Sequence, residues 1–385
     1  MKQPQPTPAP KAASKKALGA ILFVVLLAGC GLGGYWIYWN HTAGIFRQSV
    51  DIWFAEQRAR GHLAGYDSLE VSGFPMRIDA RLRGATLVDG GGRWGWIPPE
   101  ITGTARPWTP LDITANAPGT HRFTIKEGER RLDLVGEVDI FTLQFVSHFG
   151  KGLQQVTGLV NKLEVRTTGG AVLASARRMA GAITRLETDK PPGASPPFAR
   201  FSGEAIDLVL PPGLDLPFGP EVKRIAARGK ILGEIPPSPT ARQLRAWRSV
   251  GGSIALEKLD VQYGAVTVDA RGNLALDTDL QPQAALTAEI EGFEAILAAL
   301  QERGALKPQE AAMAQVFLGA LAKEQPDGRK TVRVPIALNQ GVLSAGPMKL
   351  LRLPPLQWRG AGAPRIQSGP TDLAPVQKTA LPPAD

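Results

Sequence analysis

From Met76 to Arg83 the chain alternates without a break: Met76, Ile78, Ala80 and Leu82 stand between Arg77, Asp79, Arg81 and Arg83. A period of two belongs to a β-strand with one dry and one wet face, because successive side chains leave opposite sides of the backbone. The same grammar returns over 101–106, 111–115, 121–126, 131–138, 162–167, 171–186 (in pieces), 205–209, 224–231, 252–262, 265–270, 273–277, 284–291, 331–338 and 342–345. Asn339-Gln340-Gly341 supplies a hairpin turn between the last two. Between these stretches lie Gly, Pro and Asp; 43 Gly and 33 Pro in 385 residues exclude a helical bundle. Regular strand–helix alternation, the mark of a doubly wound fold, is absent. The expected fold is mainly β with a few short helices: one or more elongated, curved antiparallel sheets, with an open groove as one form they can take.

The helices fall between strand groups. Phe46, Val50, Trp53 and Phe54 recur at helical spacing and predict an amphipathic helix over 40–62. Ser238-Pro239 reads as an N-cap followed by Pro at the first helical position, in a helix that runs through Leu244 and Trp247 to Gly251-Gly252. Phe293, Ile296, Leu297 and Leu300 form one apolar stripe, and Met313, Val316, Phe317, Ala320 and Leu321 a second; both are expected to face the core. Pro-rich segments at 191–197 and 235–239 are candidate joints within a body spanning 63–358, and 359–385 lacks any pattern and is expected to be disordered.

One stretch decides where such a body resides. Residues 17–39 carry no charge and are long enough, as a helix, to span about 30–35 Å, the thickness of a hydrocarbon core. Residues 1–16 are a Pro-rich basic tail with Lys2, Lys11, Lys15 and Lys16, and no acidic residue precedes Asp51. Basic flanks stay on the cytoplasmic side, so 17–39 is expected to anchor the chain in the inner membrane with the body in the periplasm. Tyr35, Trp36, Tyr38 and Trp39 close the run with rings suited to the headgroup layer. A second reading rests on Cys30: Leu27-Ala28-Gly29-Cys30 has the form of a lipobox, in which case the mature chain begins at an acylated Cys30. Both readings export the body.

Cys30 is the only cysteine, so no intramolecular disulfide can form. The net charge of +9 would suit anionic headgroups or acidic glycans, or serve simply as a solubilising surface. Nucleic acid is not an expected partner, since no recognition helix or stacking motif is present. His41, His62, His121 and His148 are scattered, without ligand spacing for zinc, and there is no G-x-S-x-G elbow. Asp133, Glu137 and Asp139, like Asp277 and Asp279, read as solvated strand-face residues rather than catalytic carboxylates. No catalytic, metal or cofactor site is expected, and the chain is not read as an enzyme.

Several short motifs nevertheless share an order along the chain: Gly73-Phe74-Pro75 entering an alternating strand, Trp247 through Gly251-Gly252, Tyr263-Gly264 leading to Ala270–Asp277, and Asn339–Pro347 with Leu353–Leu356. In that order they resemble an uncharacterised alphaproteobacterial envelope family, domain of unknown function 2125, over about residues 17–358. The loop within 265–277 is also similar to the β-repeats of AsmA-like proteins, anchored envelope proteins with long curved sheets and a lipid-exposed groove. That resemblance implies an architecture and no activity. Two functional expectations follow. In one, the apolar sheet face contacts or handles a phospholipid or other envelope lipid; in the other, the sheet is filled or closed and serves as a structural, scaffolding module in the periplasm.

Overall fold

The protein is described here as a computed structural model covering residues 15–187, 196–212, 216–235, 239–304, 307–324, 330–346 and 348–353, with 355, 356 and 358. The 1–16 tail is therefore almost wholly outside the described residues, as are most of the 191–197 joint, 236–238 of the second joint, and 359–385.

Helix α1 (Lys15–Ala59) runs for 45 residues, about 68 Å, with no proline to interrupt it. The expected anchor and the amphipathic 40–62 segment are thus one continuous element. It stops at Gly61, whose φ of 85° suits glycine, and the His62 N–H closes the last turn on the Gln57 carbonyl. Eleven strands follow: β1 (Leu63–Gly65), β2 (Ser68–Ser72), β3 (Ile78–Arg83), β4 (Thr86–Val88), β5 (Trp94–Ile97), β6 (Ile101–Arg106), β7 (Thr109–Asn116), β8 (Gly119–Glu127), β9 (Arg130–Val138), β10 (Ile140–His148) and β11 (Gly152–Thr167). At β11 the sheet forks. The first part of β11 pairs with β10 (Phe141 opposite Val160), and its last residues pair with β9 (Val165 opposite Gly136). One arm continues β10–β7–β6–β3–β2 and the other β9–β8–β5–β4–β1. The two free edges, β2 and β1, both pack on α1. The helix therefore packs along both edges, β1 and β2, which are not paired with each other among the described residues.

Beyond the fork the sheet is a single layer. Its strands are β12 (Val172–Arg185), β13 (Pro197–Val209), β14 (Glu221–Leu232), β15 (Ser253–Tyr263), β16 (Val266–Leu276) and β17 (Pro282–Glu291), with β18 (Lys323–Glu324), β19 (Lys330–Asn339), β20 (Val342–Ala345) and β21 (Met348–Arg352) at the far end. Every pairing is antiparallel, and consecutive strands are neighbours except that β19 joins β17 directly. Helix α2 (Ala241–Ser249) lies between β14 and β15; α3 (Phe293–Glu302) and α4 (Pro308–Leu321) lie between β17 and β18.

Register turns local alternation into a global property. Directly opposed residues share a face, so one row can be followed through Phe145, Val156, Ile183, Phe201, Gly229, Leu256, Gly272, Leu286, Ile336 and Ala345. The row one residue over reads Thr114, Gln144, Thr157, Ala182, Ser202, Arg228, Lys258. Along these rows one face of the sheet is apolar and the other polar; farther along β11–β14 the parity reverses, where Leu163, Ala176, Leu208 and Val222 make an apolar row and Arg177 pairs with Asp207 one residue over. The polar face is laced by cross-strand ion pairs, among them Arg224 with Asp260 at 2.6 Å, Lys230 with Glu257 at 3.1 Å and Lys258 with Asp269 at 3.1 Å.

Coverage of the apolar face is uneven. At the far end the α3–α4 hairpin seats Phe293, Leu297, Ala314 and Leu318 on Val332 and Val334. Helix α2 buries Ala241 and Leu244 against Leu280. At the forked end Trp39 and Ala43 of α1 pack on Ile78 and Ala105. Between these covers nothing among the described residues lies over β12, where Met179 and Ile183 remain 38% and 51% exposed.

The structure corrects four expectations. Met76 does not continue the dry face of β3 but sits exposed in the preceding turn. The cap of α2 is Thr240, whose hydroxyl accepts the Gln243 N–H in a capping box, while Ser238 lies outside the described residues. The stretches 265–270 and 273–277 are one strand, β16, because Gly272 keeps the ladder intact at a close approach: a Cβ there would meet the Ala285 carbonyl oxygen at 2.1 Å. The second helical stripe faces outward, since α4 buries its small residues Ala311 and Ala314 with Leu318 and leaves Met313, Val316 and Phe317 exposed.

Candidate functional site

The arms of the fork and α1 enclose a cavity of about 650 Å³. Along the helix it is lined by Phe46, Val50, Trp53 and Phe54, the amphipathic stripe read from the sequence, together with Tyr38, Thr42, Ile45 and Ser49. One arm contributes Ile78, Leu82, Ile101, Leu111, Ile113, Ala115, Phe141, Leu143 and Phe145; the other contributes Leu87 and Trp96. Almost every lining group is hydrocarbon or aromatic ring, and among the described residues no carboxylate, lysine or arginine lines it. A volume of this size is ordinary for a small-molecule site, but such sites usually add several polar groups to orient the ligand. Here the walls can offer dispersion and exclusion of water and little else. The lining suits an alkyl or acyl chain.

One polar group stands just behind the wall. His121 of β8 is buried, its ring parallel to those of Trp96 and Phe123 with centroids 6.1 Å from each. The Trp96 indole N–H donates to His121 Nδ1 at 3.2 Å, and His121 Nε2–H donates to the Ala117 carbonyl at 2.8 Å. This network assigns the tautomer and leaves no place for a second proton. Burial pushes the imidazole below its ordinary pKa, with the Ala117 bond and the distant Glu137 charge pulling the other way.

The other residues singled out in the sequence have structural surroundings. Gly73 adopts a φ of 103° in the turn before β3, where a Cβ would meet the Arg77 carbonyl oxygen at 2.8 Å; Phe74 and Pro75 follow in that turn. Trp247 donates its indole N–H to the Leu232 carbonyl at 2.9 Å and lies over Gly252, where a Cβ would meet the ring at 2.4 Å. Gly251, at a φ of 81°, ends α2. Cys30 is exposed on α1. Asp133 pairs with Thr124 and Arg131, Glu137 with Thr120, and Asp139 with Lys162 at 2.6 Å. Asp277 accepts the backbone N–H groups of Asp279 and Gln281. His41 lines the cavity, His62 approaches Asp89 at 3.8 Å, and His148 ends β10. Among the described residues no cluster of three His, Cys, Asp or Glu groups could hold a metal ion.

Sequence reasoning missed the heaviest wall of the cavity. Strand β10, Ile140–His148, escaped although Phe141, Leu143 and Phe145 alternate with Thr142 and Gln144. Its neighbours in sequence, Asp139 and Phe149, hid both boundaries.

The sequence profile of a family described as "Uncharacterized protein conserved in bacteria (DUF2125)" matches residues 39–354. The chain belongs to the DUF2125 family. The match begins at Trp39, whose indole N–H donates to the Arg77 carbonyl at 2.8 Å, and ends just past β21. All the sheet and the cavity-lining part of α1 from Thr42 on therefore lie within the match, while Tyr38 and most of the 17–39 run precede it. No curated protein and no solved structure matches the chain. Among the described residues no helix is long and apolar enough to cross a membrane; the side chains of residues 15–25 and of Ala28 lie outside that description.

Proposed function

We propose that this DUF2125 protein contacts or handles lipid in the bacterial envelope, with its sheet on the periplasmic side of an inner membrane that residues 17–39 anchor. The uncharged length of that segment and the lysines before it support the anchoring. One observation carries the lipid reading: an apolar row runs in register from β3 to β20, borders a hydrocarbon-lined cavity at the forked end, and is left uncovered over β12. Soluble monomers rarely expose contiguous apolar patches beyond a few hundred Å². A strip of that kind joined to a cavity fits acyl chains, which need shelter from water and no directional bonds. The similarity of 265–277 to AsmA-like repeats points the same way. A scaffolding module, the other reading, would have its interior filled; the exposure of Met179 and Ile183 weighs against it.

The test is to purify the full chain in detergent and quantify retained phospholipid by mass spectrometry, beside an Ala115→Trp variant that plugs the cavity. Retention by the native chain and its loss in the plugged, still folded variant is the expected result. Equal or absent retention in both would overturn the lipid reading.

A further inference from the structure

Three hairpin tips lie at the same end of the forked lobe. Ile78 opposite Ala105 sets the 73–77 turn beside the Pro107-Trp108 turn, and Val146 opposite Asp112 brings the 149–151 turn alongside them. Each tip bears an exposed apolar side chain: Phe74 and Met76 on the first (45% and 64% exposed), Trp108 on the second (57%) and Phe149 on the third (84%). Each also bears a neighbouring cation, Arg77, Arg106 and Lys151 respectively. The turns at the opposite end of these strands, at 84–85, 98–100, 117–118 and 139, carry no aromatic residue.

Helix α1 holds two of these tips at one level. Tyr35 Oη donates to the Pro75 carbonyl at 2.5 Å, Trp39 Nε1 to the Arg77 carbonyl at 2.8 Å, and Tyr38 Oη to the Pro107 carbonyl at 2.7 Å. Phe74 stands edge-on to Trp39 with ring centroids 5.7 Å apart. That level is the aromatic end of the 17–39 run, where Trp36 and Ile37 also project into the surroundings. Aromatic rings beside arginine and lysine, aligned across separate turns, match the chemistry of a headgroup layer that contains anionic lipid. Phe149 belongs at once to the third tip and to the cavity wall.

We propose that these three tips form a membrane-seating surface. They dip into the outer headgroup layer of the bilayer that holds α1, so that the cavity opens at Phe149 directly onto lipid. The body then rests on the membrane rather than swinging from it, and acyl chains reach the apolar face without crossing water. This rests on the anchoring proposed above, and the experiment separates the two. In a Cys30→Ser background the full chain can be given one cysteine at a time, by Trp36→Cys, Met76→Cys, Trp108→Cys, Phe149→Cys or Pro118→Cys. Each is labelled with an environment-sensitive fluorophore and reconstituted in vesicles of phosphatidylethanolamine and phosphatidylglycerol containing lipids spin-labelled high on the acyl chain. Blue-shifted, strongly quenched emission at 36, 76, 108 and 149, with none at 118 on the opposite end, is the expected result. Quenching at 36 alone would overturn the seating and leave the anchor. No quenching at 36 would remove the anchor and the seating together. Equal quenching at 118 and at the tips would contradict the orientation.

Discussion

The forked lobe and the single layer beyond it present the same apolar face to different surroundings. In the lobe, Ile78 of β3 is fully buried beneath Trp39 and Ala43 of α1. On β12, Ile183 sits in the same kind of strand, on the same face, and remains half exposed. The difference is not in the strands but in what the chain lays over them: a helix and an opposing arm in one region, nothing among the described residues in the other. Burying an isoleucine contributes about 1.5–3 kcal/mol, so leaving Ile183 half open, with Met179 beside it on the same face, forgoes part of that stabilisation. The comparison teaches that alternation creates an apolar face, while only the position of a few helices decides whether it becomes core or groove.

The sharpest way to break that comparison is to place the same charge in both regions. Ile78→Asp puts an unpaired carboxylate in the lobe's core and should cost about 4 kcal/mol or more, read as a large drop in the denaturation midpoint. Phe293→Ala empties part of the α3–α4 cover and should cost about 3–4 kcal/mol; a much smaller loss would mean that the far end is as open as β12. Gly252→Ala drives a methyl into the Trp247 ring and should cost about 1–3 kcal/mol, seen by thermal melting. Acid should act on the lobe first. The His121 pKa is depressed in the folded state, so the unfolded chain takes up this proton first; the stabilisation is complete above about pH 6.5 and is lost as the pH falls below that value. Melting curves of His121→Gln should lose that pH-dependent component. Smallest of all, Ile183→Asp should change stability by about 0.5 kcal/mol or less, as expected for an exposed site; a loss like that of Ile78→Asp would show the β12 face to be covered after all.

Much of this was legible in the sequence. The alternation of Ile78, Ala80 and Leu82, the Gln340-Gly341 hairpin and the stripe of Phe46, Val50 and Phe54 all follow from local periods, and local periods are what a sequence displays. Three features were not legible, for one physical reason. The fork at β11, the outward face of Met313 and Val316, and the turn position of Met76 depend on which distant element packs where. Helix α4 is apolar on both sides, so no local period could say that Ala311 and Ala314 would be buried. The cavity itself unites α1 with residues a hundred positions away, such as Phe141 and Phe145, and emerges only from register.

The open face of β12 is the central claim, and side-chain parity tests it most directly. A photoreactive amino acid placed at Met179 or Ile183 in the full chain, and activated in living cells, should form lipid adducts visible by mass spectrometry. The same residue at Ala182 or Thr184, on the polar face of the same strand, should form none. Adducts at both sets, or at neither, would contradict the account.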